Sequence, residues 1–106
     1  MSLHHVTKTL DLLTTSVPDA SLLRWRVLLF IFSRSGSCLQ SDVAAEFGMN
    51  DVEAGRNVNF WTHRKSDQTP GIHFLEYEQD PRDRRAKSIT VTKLGKDFLR
   101  QLEAIK

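Results

Sequence analysis

The apolar positions of this chain form spaced stripes, one unbroken block and one alternating run, and these patterns assign most of its elements. Val6, Leu10 and Leu13, with Leu3 a turn earlier, recur at helical spacing and predict an amphipathic first helix over residues 3–14. The run Thr14-Thr15-Ser16-Val17-Pro18-Asp19 should break it, with Ser16 or Asp19 capping a second helix and Pro18 in its first turn. That helix is expected over residues 19–34. Its second half, Val27-Leu28-Leu29-Phe30-Ile31-Phe32, is apolar on every side, which marks the central buried helix. A buried strand competes for the block. The pattern continues back through Leu22, Leu23 and Trp25 without a turn residue, which favours helix.

Ser35-Gly36-Ser37 reads as a turn and Cys38-Leu39 as a very short strand. Residues 40–47 form a compact helix with Val43, Ala44 and Phe47 on one face, and Gly48 ends it, since glycine tolerates the left-handed geometry of a helix exit. Asn50 or Asp51 caps the next helix, expected to reach Lys65 with Ala54, Val58, Trp61 and Lys65 along its inner stripe. Two helices joined by a short glycine turn, with alanines where they cross, are a helix-turn-helix pattern, here over residues 40–66. Residues 71–78 and 88–92 then alternate as strands. Glu76 and Glu78 fall on the exposed face of the first. Between the strands, Asp80-Pro81-Arg82-Asp83-Arg84-Arg85-Ala86-Lys87 puts three arginines and a lysine at a hairpin tip. A closing helix over residues 93–105 carries Leu94, Phe98, Leu102 and Ile105 on one face, with Thr92 as its cap.

Composition narrows what such a chain can do. Its 106 residues are read as one domain with one modest core. The formal net charge is only +2, so any affinity for nucleic acid has to come from where the charges lie. The single cysteine, Cys38, leaves no internal disulfide and no cysteine-rich zinc site, and reads as a small hydrophobe. Neither His4, His5, His63 nor His73 falls at metal-ligand spacing, so no metal and no cofactor are expected. The longest apolar run is far short of the roughly 20 residues that span a bilayer, no membrane association is expected, and the default compartment is cytoplasmic. There is no glycine-rich phosphate loop, nucleophile motif or His–carboxylate constellation, so the chain is not read as an enzyme. Trp25 and Trp61 lie on apolar stripes and are assigned to the core.

The order helix, helix, short strand, helix, helix, strand, strand, helix is that of a winged helix-turn-helix. The expected fold is α+β, mostly helical, with a two- or three-stranded β-wing over residues 71–92 and flanking N- and C-terminal helices. The segments Leu23-Arg24-Trp25-Arg26-Val27-Leu28, Ser41-Asp42-Val43-Ala44-Ala45-Glu46-Phe47-Gly48-Met49, Gly55-Arg56-Asn57-Val58, Asp83-Arg84-Arg85 and Ile89-Thr90-Val91-Thr92-Lys93-Leu94-Gly95 carry a resemblance. Together they resemble the MarR family of bacterial transcription regulators over residues 22–102. The wing, its following strand and the Thr-x-x-Gly helix start are the most specific part. Two features depart from that pattern: the chain is short at both ends, and its recognition helix opens with Asp51, Glu53 and Gly55 where hydroxyl or basic residues are commoner.

Double-stranded DNA is therefore the expected partner. With Ala54, Val58 and Trp61 turned inward, the outward side of the recognition helix shows Asn50, Asp51, Glu53, Arg56, Asn57 and Asn59. Arg56 can pair with guanine and an asparagine with adenine in the major groove, and the resemblance implies the same base-reading role for Arg56. His63, Arg64 and Lys65 extend the basic surface, although cations there also complement a helix C-terminus. Arg84 or Arg85 can enter a narrow minor groove, while Arg82 and Lys87 suit phosphates. The resemblance implies that Asp83 stabilises the wing by pairing with Arg85. A homodimer is expected, its glue the apolar faces of the first helix and of Phe98, Leu102 and Ile105, unless those faces close over the chain's own core. The competing function is a winged-helix protein-interaction module, which the acidic recognition-helix start would suit. A small-molecule effector is compatible with the resemblance but not indicated by any residue.

Overall fold

Helices α1 (Leu3–Ser16) and α2 (Leu22–Ser33) precede a short strand β1 (Cys38–Leu39), helices α3 (Gln40–Phe47) and α4 (Asp51–Asn59), the hairpin β2 (Leu75–Asp80) and β3 (Asp83–Val91), and helix α5 (Lys93–Glu103). The computed structural model describes residues 2–34, 38–62, 72–80 and 83–105, the side chains of 79–80 and 83–87 excepted. The strands form one antiparallel sheet in the order β1-β3-β2, with Cys38 opposite Ile89 and Leu75 opposite Val91. This is the mostly helical α+β winged helix-turn-helix read from the sequence, Cys38 and Leu39 supplying the third strand.

Around α2 the core is largely aromatic. Trp25, Val27, Leu28, Ile31 and Phe32 are buried along it. Trp25 meets Trp61 at 4.8 Å between ring centroids, Trp61 stacks on Phe74 at 5.9 Å, and Phe74 on Phe98 at 4.9 Å. Tilted and offset contacts of this kind match the electrostatics of ring faces and edges. Trp61 is fully buried, and its indole N–H donates to the Arg24 carbonyl at 3.0 Å, which satisfies the one polar atom it takes inside. Both tryptophans are therefore core residues, as their stripes implied.

Several boundaries differ from expectation, each for a local reason. The hydroxyl run does not break α1. Thr14 and Thr15 turn their hydroxyls back to the carbonyls of Leu10 and Asp11 at 2.9 and 2.7 Å, where they are satisfied inside the helix, which runs on through Ser16. Val17 then turns into the core, and α2 starts at Leu22 with Ser21 as its cap, not Ser16 or Asp19. Helix α4 stops at Asn59 instead of reaching Lys65. The Trp61 carbonyl, which a continuing helix would offer to residue 65, accepts from the amides of Phe74 and Leu75 at 2.9 and 3.0 Å. Strand β2 correspondingly begins at Leu75, after His73 at φ 60°.

The hairpin is longer than expected. Strand β3 opens at Asp83, so the backbone of 83–87 belongs to the strand and not to the turn. Gln79 pairs with Lys87 and Asp80 with Asp83, so β3 advances four residues while β2 advances one. That irregularity sits in the basic segment itself. At the end of the chain, Thr92 caps α5 as expected, accepting from the Gly95 amide at 3.1 Å. Leu94 departs from its expected stripe and is 53% exposed, because Gly95 and Phe98 take the buried face. Gly95 is required there: a Cβ would lie 2.4 Å from the Phe74 carbonyl oxygen and 2.8 Å from a Val91 methyl.

Candidate nucleic-acid interface

The turn between α3 and α4 follows from two residues. Gly48 adopts φ 63°, the left-handed conformation, and the Met49 amide closes on the Ala44 carbonyl at 2.9 Å. Asn50 then caps α4: its Oδ1 accepts from the Glu53 amide at 2.8 Å, while the Glu53 carboxylate accepts from the Asn50 amide at 3.4 Å. The acidic start that departs from the family pattern thus has a structural use, since carboxylates also suit the positive end of the helix dipole.

Asp51 is engaged as well. Gln40, at the start of α3, donates from Nε2 to the Asp51 carboxylate at 2.9 Å and accepts at Oε1 from the Tyr77 hydroxyl at 2.6 Å. One glutamine therefore ties the head of α4 to strand β2 of the hairpin. Gly55 leaves room for it, as a Cβ there would already touch the Gln40 amide at 3.4 Å. Burial, and then the Asp51 charge, push the Tyr77 phenol up to about 12, so its hydroxyl stays a donor. Nothing local in the sequence flags this bridge, because its ends lie 37 residues apart.

These contacts divide α4 into four sides. Ala54 and Val58 are fully buried. Asp51 and Gly55 lie under Gln40 on one flank. Asn50, Glu53 and Asn57 form the other; Asn57 donates to the Glu53 carbonyl at 2.9 Å and to the Met49 sulfur at 3.8 Å. The fourth side, opposite the core, carries Val52, Arg56 and Asn59, all exposed. Of the expected base-reading residues, Arg56 stands outward, whereas Asn50 gives its Oδ1 to the helix cap and Asn57 its Nδ2 to Glu53 and Met49.

His63, Arg64 and Lys65, and Arg82, lie outside the described residues. Asp83, Arg84, Arg85 and Lys87 have their backbone in β3, with their side chains outside the described set. Glu76 and Glu78 are on the exposed face of β2 as read. Cys38 is buried within the sheet, and its thiol pKa is raised by burial and then by Asp42, against the lowering effect of Arg34. Among the described residues no group of histidine, cysteine and carboxylate side chains is placed to hold a metal ion.

No protein-family model and no curated protein matches the chain in sequence. Solved structures do match in shape. The S. aureus MepR–DNA complex has a TM-score of 0.71 at 16% identity, covering 96% of this chain and 76% of that one. RV1404 from Mycobacterium tuberculosis has a TM-score of 0.69 at 20% identity, covering 92% and 60%. MarR has a TM-score of 0.63 at 18% identity, covering 95% and 69%. The chain thus spans from 60 to 76% of the length of these proteins. With its helix-turn-helix, its long hairpin and this likeness, the chain has the MarR-like winged-helix fold.

Proposed function

We propose that this chain is a sequence-specific, double-stranded DNA-binding transcriptional regulator that works as a homodimer, with α4 in the major groove and the basic hairpin in the minor groove. The observation that carries this reading is the outward side of α4, where Arg56 stands exposed directly opposite the buried Ala54 and Val58. A guanidinium held on a helix face by nothing else in the described protein has the geometry to donate twice to guanine. Fold likeness to a protein solved on DNA supports duplex DNA as the partner. In the hairpin, Arg84 or Arg85 reaches the minor groove and Arg82 and Lys87 contact phosphate, with Asp83 bracing the wing. His63 and Arg64 add phosphate contacts beyond α4.

The protein-interaction reading leaned on Asp51 and Glu53. Capping and the Gln40 bond account for both, which favours DNA. No described helix is long and apolar enough to cross a membrane, and a regulator of this kind works beside the chromosome in the cytoplasm.

The test is duplex selection from a random pool followed by titration across salt. About six phosphate contacts per dimer should cost roughly a thousandfold in affinity between about 50 and 200 mM salt. Lys87→Ala should weaken all duplexes alike, and Arg56→Ala should relax preference at one base pair per half-site. Binding indifferent to salt and to both changes would rule the DNA reading out.

A further inference from the structure

Resting on the DNA reading above, we infer that Val52 is a base-reading residue, recognising the 5-methyl group of a thymine beside the guanine that Arg56 takes. The argument is one of elimination around α4. At about 100° per residue, Ala54 and Val58 define the buried direction, and Arg56 points opposite to it. Asp51 and Gly55 lie under Gln40, while Asn50, Glu53 and Asn57 are closed by hydrogen bonds to one another and to Met49. Val52 and Asn59 share the open side with Arg56, and Glu53, exposed at its edge, gives a carboxylate oxygen to the Asn50 cap, which leaves Val52 as the apolar group on that side.

Val52 is 61% exposed in the first turn of α4 and is not among the hydrophobic residues that pack on the core. It precedes Arg56 by one helical turn, so the two side chains leave the same face about 5–6 Å apart. With base pairs about 3.4 Å apart, that spacing lets them meet neighbouring or next-neighbouring pairs. The apolar feature of the major-groove edge of a base pair is the thymine methyl, and small apolar side chains are what read it. The predicted half-site therefore holds a thymine one or two base pairs from the Arg56 guanine.

The experiment replaces each thymine of the selected duplex in turn by deoxyuridine, which removes the methyl and nothing else, and titrates wild type and Val52→Ala at fixed salt. Wild type should lose about fourfold in affinity at one thymine per half-site, the worth of one buried carbon. That position should lie within two base pairs of the one relaxed by Arg56→Ala, and Val52→Ala should be insensitive to the same replacement. If no thymine shows a methyl effect with wild type, or if Val52→Ala keeps it, this inference fails while the DNA reading stands. If wild type binds no duplex in a salt-sensitive way, both fail.

Discussion

At the scale of single residues, Gly95 and Tyr77 fix how the hairpin is joined to the helices. Gly95 lets the first turn of α5 press against the Phe74 carbonyl, and a Cβ at 2.4 Å from that oxygen has backbone, not a flexible side chain, to displace. Gly95→Ala should therefore destabilise the fold by about 2 kcal/mol although alanine is the better helix former, and lower the melting temperature by about 10 °C. A thermal melt checks this; an unchanged or higher midpoint would mean that α5 is free to shift. Tyr77 donates to Gln40, and Tyr77→Phe should cost about 1 kcal/mol at neutral pH through that lost bond. It has a second signature. Burial raises the phenol from 10.0 to about 12, so the tyrosine's contribution is complete below pH 10 and is withdrawn as pH climbs through about 12. Wild type should lose stability over that window and the phenylalanine variant should lose less. Cys38, also raised, acts in the same direction and leaves part of the alkaline loss in place.

At the scale of elements, the start of α4 is local chemistry and its end is not. Asn50 and Glu53 cap each other across three residues, and Gly48 turns the chain just before them, so the sequence states this boundary outright. Asn50→Ala should cost about 1 kcal/mol, seen as a lower urea midpoint at unchanged slope. Glu53→Gln, which keeps an oxygen acceptor, should retain most of that stability; equal losses in the two would deny the capping box. The end of α4 depends on Phe74 and Leu75 taking the Trp61 carbonyl, a pairing across the whole helix-to-hairpin connection that no periodicity encodes. The same distinction runs through the candidate site. Arg56 could be read from a helical wheel because the buried residues that fix its direction, Ala54 and Val58, lie on its own helix. Asn57 could not be placed, because its amide turns to the Met49 sulfur, and Gln40 was invisible because its two partners come from different elements. The strand start at Asp83 was hidden for a related reason: charged residues rarely announce a strand, and here the ladder with β2 extends it.

At the scale of the whole molecule, the proposed DNA reading calls for two copies. Nine helical residues extend about 13 Å, or about four base pairs, too few to single out a site in a genome. Two copies on half-sites about 34–36 Å apart double the sequence read and couple the two binding events. On that reading the surface proposed to join them is the exposed side of α1: Leu3, Val6 and Leu10 are 83, 36 and 49% exposed, while Leu13 of the same helix is spent on the core. The opposite terminus divides similarly, with Phe98 buried and Leu94 outside. A specific, stable interface buries about 1,200–2,000 Å² in total, so α1 would have to be joined by neighbouring surface to reach it. Leu10→Glu sets a charge in that face without touching the core. By light scattering it should halve the mass of wild type while the melting transition remains cooperative, and affinity for the full palindrome should fall by about a hundredfold or more toward that of one half-site. Binding to an isolated half-site should be unchanged. A wild type that is already monomeric on DNA, or a Leu10→Glu variant with undiminished mass, would place the joining surface elsewhere or remove the need for it.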